Sequence, residues 1–186
     1  MAATVRDGAL LDALESLALA PFVGTLWRSV REGRDPTECW RAGGRWDDRT
    51  FDVLYTSLTL GGAIAERRFH LFRGQPLPPS KVRYEVFELR LHLTAVIFFD
   101  DLAALQAIGM NTGGYGLSSY ADKETEYPRS QEIAEACYFL GADGIAVPNA
   151  RHESQNLIVF CEQDSDTEIE VVGSHGPIDW QEDQTR

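Results

Sequence analysis

The chain has 186 residues, 44% of them hydrophobic and 10% aromatic, which is ample for one buried core. Its 29 acidic residues outnumber 17 basic ones for a formal net charge of −12, a balance that repels a phosphate backbone and excludes generic nucleic-acid or anionic-membrane binding. No basic region followed by an apolar segment opens the chain and no stretch approaches ~18 consecutive apolar residues, so a soluble, cytoplasmic protein is expected.

Residues 8–19 carry Leu10, Leu11, Leu14, Leu17 and Ala18 at amphipathic helical spacing, with Pro21 as the stop. Residues 22–30 read as a first strand. Residues 32–48, rich in Gly, Asp and Arg, read as a flexible loop holding Arg45 and Trp46. Residues 51–57 form a second strand ending in a hydroxyl cluster, and residues 58–72 a helix that places Glu66 about two turns in. Residues 73–80, with Pro76, Pro78 and Pro79, make a connection. Tyr84, Val86, Leu89, Leu91 and Leu93 alternate as a strand over 82–93, leading into the apolar run 95–99.

A short helix over 102–108 precedes a Gly-rich loop at 109–116. Ile133, Ala134, Cys137, Tyr138 and Leu140 define the apolar face of a helix over 131–140, with Ser130 as its N-cap. Residues 144–147 and 156–160 are short strands around a polar loop, and 168–172 adds a further candidate. No repeat or linker divides the chain. The expected organisation is an N-terminal helical segment (1–22), one principal domain (23–173) and a weakly ordered tail (174–186) pinned by Trp180. The fold class is mixed α/β, a single domain with central twisted sheets flanked by helices. Cys39, Cys137 and Cys161 are far apart, with no CxxC pair and no histidine at ligand spacing. Neither a disulfide framework nor a zinc site is expected, and a reducing compartment fits best.

Several polar residues fall where strands meet loops or helices: Arg28, Arg45, Tyr55 with Ser57, Glu66 and Ser130. Singly, each has an ordinary explanation as a surface arginine, core tyrosine, exposed glutamate or capping serine. Together they suit a dinucleotide. A guanidinium fork matches phosphate oxygens, and a helix N-terminus at Ser130 would add N–H donors. A carboxylate at Glu66 would stabilise the positive charge that develops when a nicotinamide–ribose bond breaks, and Tyr55 or Trp46 would stack on a base. There is no GxGxxG after a strand, no P-loop and no nucleophile elbow.

The stretches Leu26-Trp27-Arg28, Gly43-Gly44-Arg45-Trp46, Val53 to Ser57 with Ala63 to Glu66, Ser130-Gln131, Gly144 to Pro148 and Asn156 to Val159 occur in the order found in the RES domain, which the chain resembles from about residue 26 to 160. The resemblance implies the toxin of a bacterial type II toxin–antitoxin system, with a fold similar to ADP-ribosyltransferases, that consumes NAD⁺ without a metal. Its cognate partner would be an Xre-like antitoxin covering the active site.

Some members hydrolyse or phosphorolyse NAD⁺, and others transfer ADP-ribose to a protein. Residues 73–76 and 126–130 are similar to those of a mono-ADP-ribosyltransferase of the family. Carried across, Arg28, Glu66 and Ser130 are the signature catalytic residues, and Arg28, Arg45, Tyr55, Ser57 and Ser130 bind NAD⁺. Two departures stand out: Asn149 replaces the more usual serine after proline, and Asp47-Asp48-Arg49-Thr50 replaces the usual Asn and Gly after Trp46.

The competing class is a non-enzymatic acidic module that occupies a basic partner, motivated by the charge of −12 and by the acid concentrated in 124–135 and 162–183. That tail and the helix over 131–140 are the expected antitoxin contacts.

Overall fold

The computed structural model describes residues 6–72, 82–116, 123–163 and 168–180, so the proline-rich connection at 73–80 and the end of the acidic tail lie outside the described residues. Its framework is one long antiparallel pair. β1 (Leu19–Arg31) runs against β3 (Tyr84–Phe98), from Leu19 opposite Ile97 to Arg31 opposite Tyr84.

The two apolar runs expected at 82–93 and 95–99 are one continuous strand. Asp143 explains the continuity: its buried carboxylate accepts from Thr94 N and Ala95 N, both at 2.8 Å. It satisfies the backbone of β3 between the places where two other strands pair with it.

β2 (Val53–Ser57) pairs with β5 (Gln155–Phe160), β5 with β4 (Gly144–Pro148), and β4 lies parallel to the end of β3. A single contact of Trp27 with Ser57 joins β1 to β2, so the order β1-β2-β5-β4-β3 closes on itself. β6 (Glu170–Pro177) adds to β3 at Glu85 to Arg90. The result is a mixed sheet flanked by helices, as expected from the alternation of patterns.

Strand alternation divides the apolar residues between two cores. Leu26, Leu54, Leu89, Leu91, Leu157 and Val159 pack on one sheet face. Val53, Ile97, Ile145, Val147 and Ile158 pack on the other, against Leu10 and Leu14 of α1 (Gly8–Glu15), Leu105 of α3 (Leu102–Ala107) and Ile133 and Cys137 of a later helix. Between α1 and α3 in sequence, α2 (Leu60–Phe72) follows β2 directly.

Four readings need correction. The first helix ends at Glu15, and Pro21 lies within β1, where the register slips between Ala20 and Phe22. A bulge is one of the few strand sites that tolerates proline's missing N–H. Second, Ser130 is not an N-cap: α4 runs from Lys123 to Phe139 with Pro128 inside it. The Ser130 hydroxyl lies 2.9 Å from Tyr127 O, one turn back in the helix, and only 2.6 Å from Arg45 O, the acceptor for its one proton.

Third, the tail is structured at its start. Residues 174–177 belong to β6, and the Trp180 ring packs edge-on to Phe72 with centroids 6.0 Å apart. Fourth, Cys39 and Cys161, 122 residues apart, form a disulfide with Cα atoms 6.4 Å apart. Trp40 bridges to Val53, Val53 pairs with Phe160, and these two contacts bring the cysteines together. Cys137 is free and buried, and burial pushes its thiol up to about 12. Among the described residues no helix is long and apolar enough to cross a membrane.

Candidate active site

A cleft of about 460 Å³ opens where the ends of β1, β2 and β5 meet α2 and the 32–50 loop. It is lined by Arg28, Arg45, Tyr55, Ser57 and Glu66 of the residues singled out from sequence. Arg28 Nη1 donates to Pro36 O at 2.8 Å. Burial, and secondarily the neighbouring Arg67, push the Arg28 guanidinium down to about 10. Ser57 closes β2 with its hydroxyl 3.4 Å from both Gln155 O, to which it donates, and Thr59 N, from which it accepts.

The loop carrying Arg45 is fixed rather than flexible. Asp47 is fully buried, and its carboxylate accepts from Gly43 N at 2.6 Å, Gly44 N at 2.8 Å and the Tyr55 hydroxyl at 3.0 Å. Tyr55 Oη accepts in turn from Trp46 N at 2.9 Å. The loop approaches so closely that a Cβ on Gly44 would stand 2.5 Å from the Tyr55 hydroxyl. Burial and then the Asp47 charge hold the Tyr55 phenol well above its ordinary range, so it remains a donor. Trp46 is buried in the helix-side core, which anchors the loop from below.

Helix α4 completes the support. Gln131 Nε2 donates to Gly44 O at 2.8 Å and Asp47 O at 3.0 Å, and Ser130 Oγ donates to Arg45 O at 2.6 Å. The Arg45 guanidinium lies 4.7 Å from the Tyr115 ring centroid and 5.2 Å from that of Tyr127. Tyr115 belongs to the Gly-rich loop, and its hydroxyl donates to Pro148 O at 2.6 Å. Contact with two aromatic rings restricts the freedom of that arginine, as a preorganised anion site requires.

Glu66 stands on the second turn of α2, half-buried, with Oε1 accepting from Asn156 Nδ2 at 3.2 Å and Oε2 lying 4.0 Å from His70 Nε2. Burial pushes its carboxyl upward, against the Asn156 bond, the charges of Arg151 and Arg45, and an N–H bond from Ala150.

Ser130 is fully exposed to nothing: its relative accessibility is 0%, and it is absent from the cleft lining. The structure therefore brings five of the six predicted residues to the cleft and sets the sixth beneath Arg45. Arg67, Arg151, Asn156, Tyr115 and Tyr127 also line it and were not singled out from sequence. Arg67 carried the clearest signal, adjacent to Glu66 on a helix; the others sit in segments that read as plain loops or core. Among the described residues, four arginines and one carboxylate thus line the cleft. Trp27 Nε1, Ser29 Oγ and Arg67 Nε, on residues of its wall, are buried with no hydrogen-bond partner among the described residues. Among the described residues no group of three or more His, Cys, Asp and Glu is arranged to hold a metal.

The chain matches the family model described as the RES domain over residues 25–181. Among solved structures it resembles a chain in the crystal structure of the M. tuberculosis MbcT–MbcA toxin–antitoxin complex, with a TM-score of 0.72 at 18% identity, covering 92% of this chain and 93% of that one. No curated protein sequence matches it.

Proposed function

The chain belongs to the RES domain family, and from that premise we propose that it is the NAD⁺-consuming toxin of a toxin–antitoxin pair. The observation that carries the proposal is the convergence of Arg28, Arg45 and Glu66, far apart in sequence, on one cleft with Tyr55 and Ser57. The residues present fit a dinucleotide. Arg28 and Arg45 would hold the pyrophosphate, and Tyr55 and Ser57 would position the nicotinamide end. NAD⁺, when bound, supplies a glycosidic bond whose cleavage leaves positive charge on the ribose. Glu66 would stabilise that charge and orient the ribose hydroxyls. Ser130 would act through Arg45, whose carbonyl it holds, rather than by direct contact with phosphate.

The similar fold found in a toxin–antitoxin complex supports a cognate antitoxin as partner, of the Xre-like type that the family implies. Helix α4 offers such a partner little apolar surface, because Ile133, Ala134, Ala136 and Cys137 are buried in the core. Its exposed Glu132 and Phe139 remain available.

Incubating the protein with NAD⁺ and a cell lysate tests the activity and separates its outcomes. Free ADP-ribose identifies hydrolysis, ADP-ribose 1″-phosphate identifies phosphorolysis, and labelled protein identifies ADP-ribosyl transfer. Neither NAD⁺ loss nor labelling would end the proposal.

A further inference from the structure

Glu66 is the last member of a chain of polar contacts that begins behind the cleft. Its Oε1 accepts from Asn156 Nδ2 at 3.2 Å, and Asn156 Oδ1 accepts from Asn149 Nδ2 at 2.8 Å. Asn149 is itself held by both ends of its amide: Oδ1 accepts from Arg151 N at 2.7 Å, and Nδ2 also reaches Gly62 O at 3.5 Å. Asn156 lines the cleft, whereas Asn149 is buried and does not. Helix α2 presses against this group so closely that a Cβ on Gly62 would lie 2.7 Å from Ser154 Oγ and 3.0 Å from Asn149 Nδ2.

A carboxamide has one donating end and one accepting end. With the donating end of Asn149 against Asn156 Oδ1, the amino group of Asn156 is the end left to face the carboxylate. Turned over, Asn156 would set a carbonyl oxygen against Glu66 Oε1 and its own amino group against that of Asn149. The second amide therefore fixes the orientation of the first.

Resting on the reading of Glu66 as the carboxylate that acts on the ribose, we propose that Asn149 and Asn156 are positioning residues, a two-amide relay that aims the Glu66 carboxylate into the cleft. Its surroundings make the contact matter. Arg45 from the 32–50 loop, Arg151 from the loop after β4, His70 and Arg67 from α2 and the Ala150 N–H all face Glu66. Burial works against them and raises the carboxyl. Removing the Asn156 donor moves the balance further toward the protonated acid, so the acid limb of turnover shifts to higher pH.

The test follows NAD⁺ turnover by the full chain from pH ~5 to ~9. Glu66→Gln comes first: loss of turnover upholds the reading of the site, and wild-type turnover would end that reading whatever the amides do. With Glu66 upheld, Asn149→Ala is expected to lower kcat by about tenfold or more, leave KM for NAD⁺ within about twofold, and move the acid limb upward. Asn156→Asp, nearly isosteric but with the donor replaced by an acceptor, should move the limb further and serves if Asn149→Ala does not fold. Folded variants with wild-type kcat and an unmoved acid limb, or with a raised KM alone, would overturn the relay.

Discussion

Reducing the Cys39–Cys161 bridge should cost the fold much of its stability and the cleft almost none of its activity. The bridge spans 122 residues. Loop-closure entropy for a ring of that size has an upper value of about 5 kcal/mol at 25 °C, and measured disulfides more often contribute about 2–4 kcal/mol. At about 2.1 cal/mol/K per residue, unfolding a chain of 186 residues carries an entropy of about 0.4 kcal/mol/K, so the melting temperature should fall by about 5–13 °C.

The cleft should survive because other contacts tie the loop on either side of Arg45. Trp40 bridges to Val53, Arg41 pairs with Asp52 at 2.7 Å, and Asp47, Ser130 and Gln131 hold residues 43–47. Thermal melts with and without a dithiol reductant, repeated on a Cys39→Ser/Cys161→Ser variant, measure the first effect, and NAD⁺ turnover well below the melt measures the second. Melting temperatures agreeing within about 1 °C would refute the cross-link. Loss of turnover in reduced but folded protein would refute the independence of the cleft.

Ser130→Ala leaves the Arg45 carbonyl without this donor, at a cost of about 1 kcal/mol in denaturant unfolding, and should raise KM for NAD⁺ through the displaced guanidinium. An unchanged KM would mean that Ser130 serves packing alone. The Arg28 guanidinium, lowered to about 10 by burial and by Arg67, is charged below that pH and neutral above it. NAD⁺ affinity in calorimetry should therefore hold steady at neutral pH and weaken as pH rises through 10; affinity constant to pH ~11 would refute the lowered guanidinium, and affinity unchanged in Arg28→Ala would refute Arg28 as a phosphate ligand. Arg49 has φ 73° at an exposed loop position, so Arg49→Gly should stabilise the protein by about 0.5–1 kcal/mol in urea unfolding; a destabilised variant would show that the Arg49 guanidinium, which lies against Gly43, outweighs the backbone strain.

Local pattern predicted most elements because most were built locally. Alternation in β1 and β3 and the apolar face of α4 each reflect side chains turned toward a core. The errors came where distant residues decided the outcome. Pro21 could enter a strand because Ile97 and Val96 pair with its neighbours, and the break in β3 disappeared because Asp143, 48 residues beyond Ala95, supplies acceptors there. The disulfide was hidden for the same reason: nothing near Cys39 in sequence indicates that β2 and β5 will carry Cys161 to it.

The site follows the same division, and charge shows it best. A total of −12 argues against a nucleic-acid backbone or an anionic membrane as partner, yet among the described residues the cleft gathers Arg28, Arg45, Arg67 and Arg151 with one carboxylate, that of Glu66. Net charge sums over a surface on which exposed acids are screened within about 10 Å, whereas a recessed cleft responds to the few groups in its wall. Arg28, Arg45 and Glu66 could be singled out because a strand end, a glycine-rich loop and the helix that follows a strand mark them. Asn149, Arg151 and Asn156 were not, because a short polar loop between two strands reads as a plain connection until β4 and β5 pair and α2 docks beside it at Gly62. What orients the carboxylate is thus a product of tertiary contact, and it is there that substitutions distant from the signature residues should alter the chemistry.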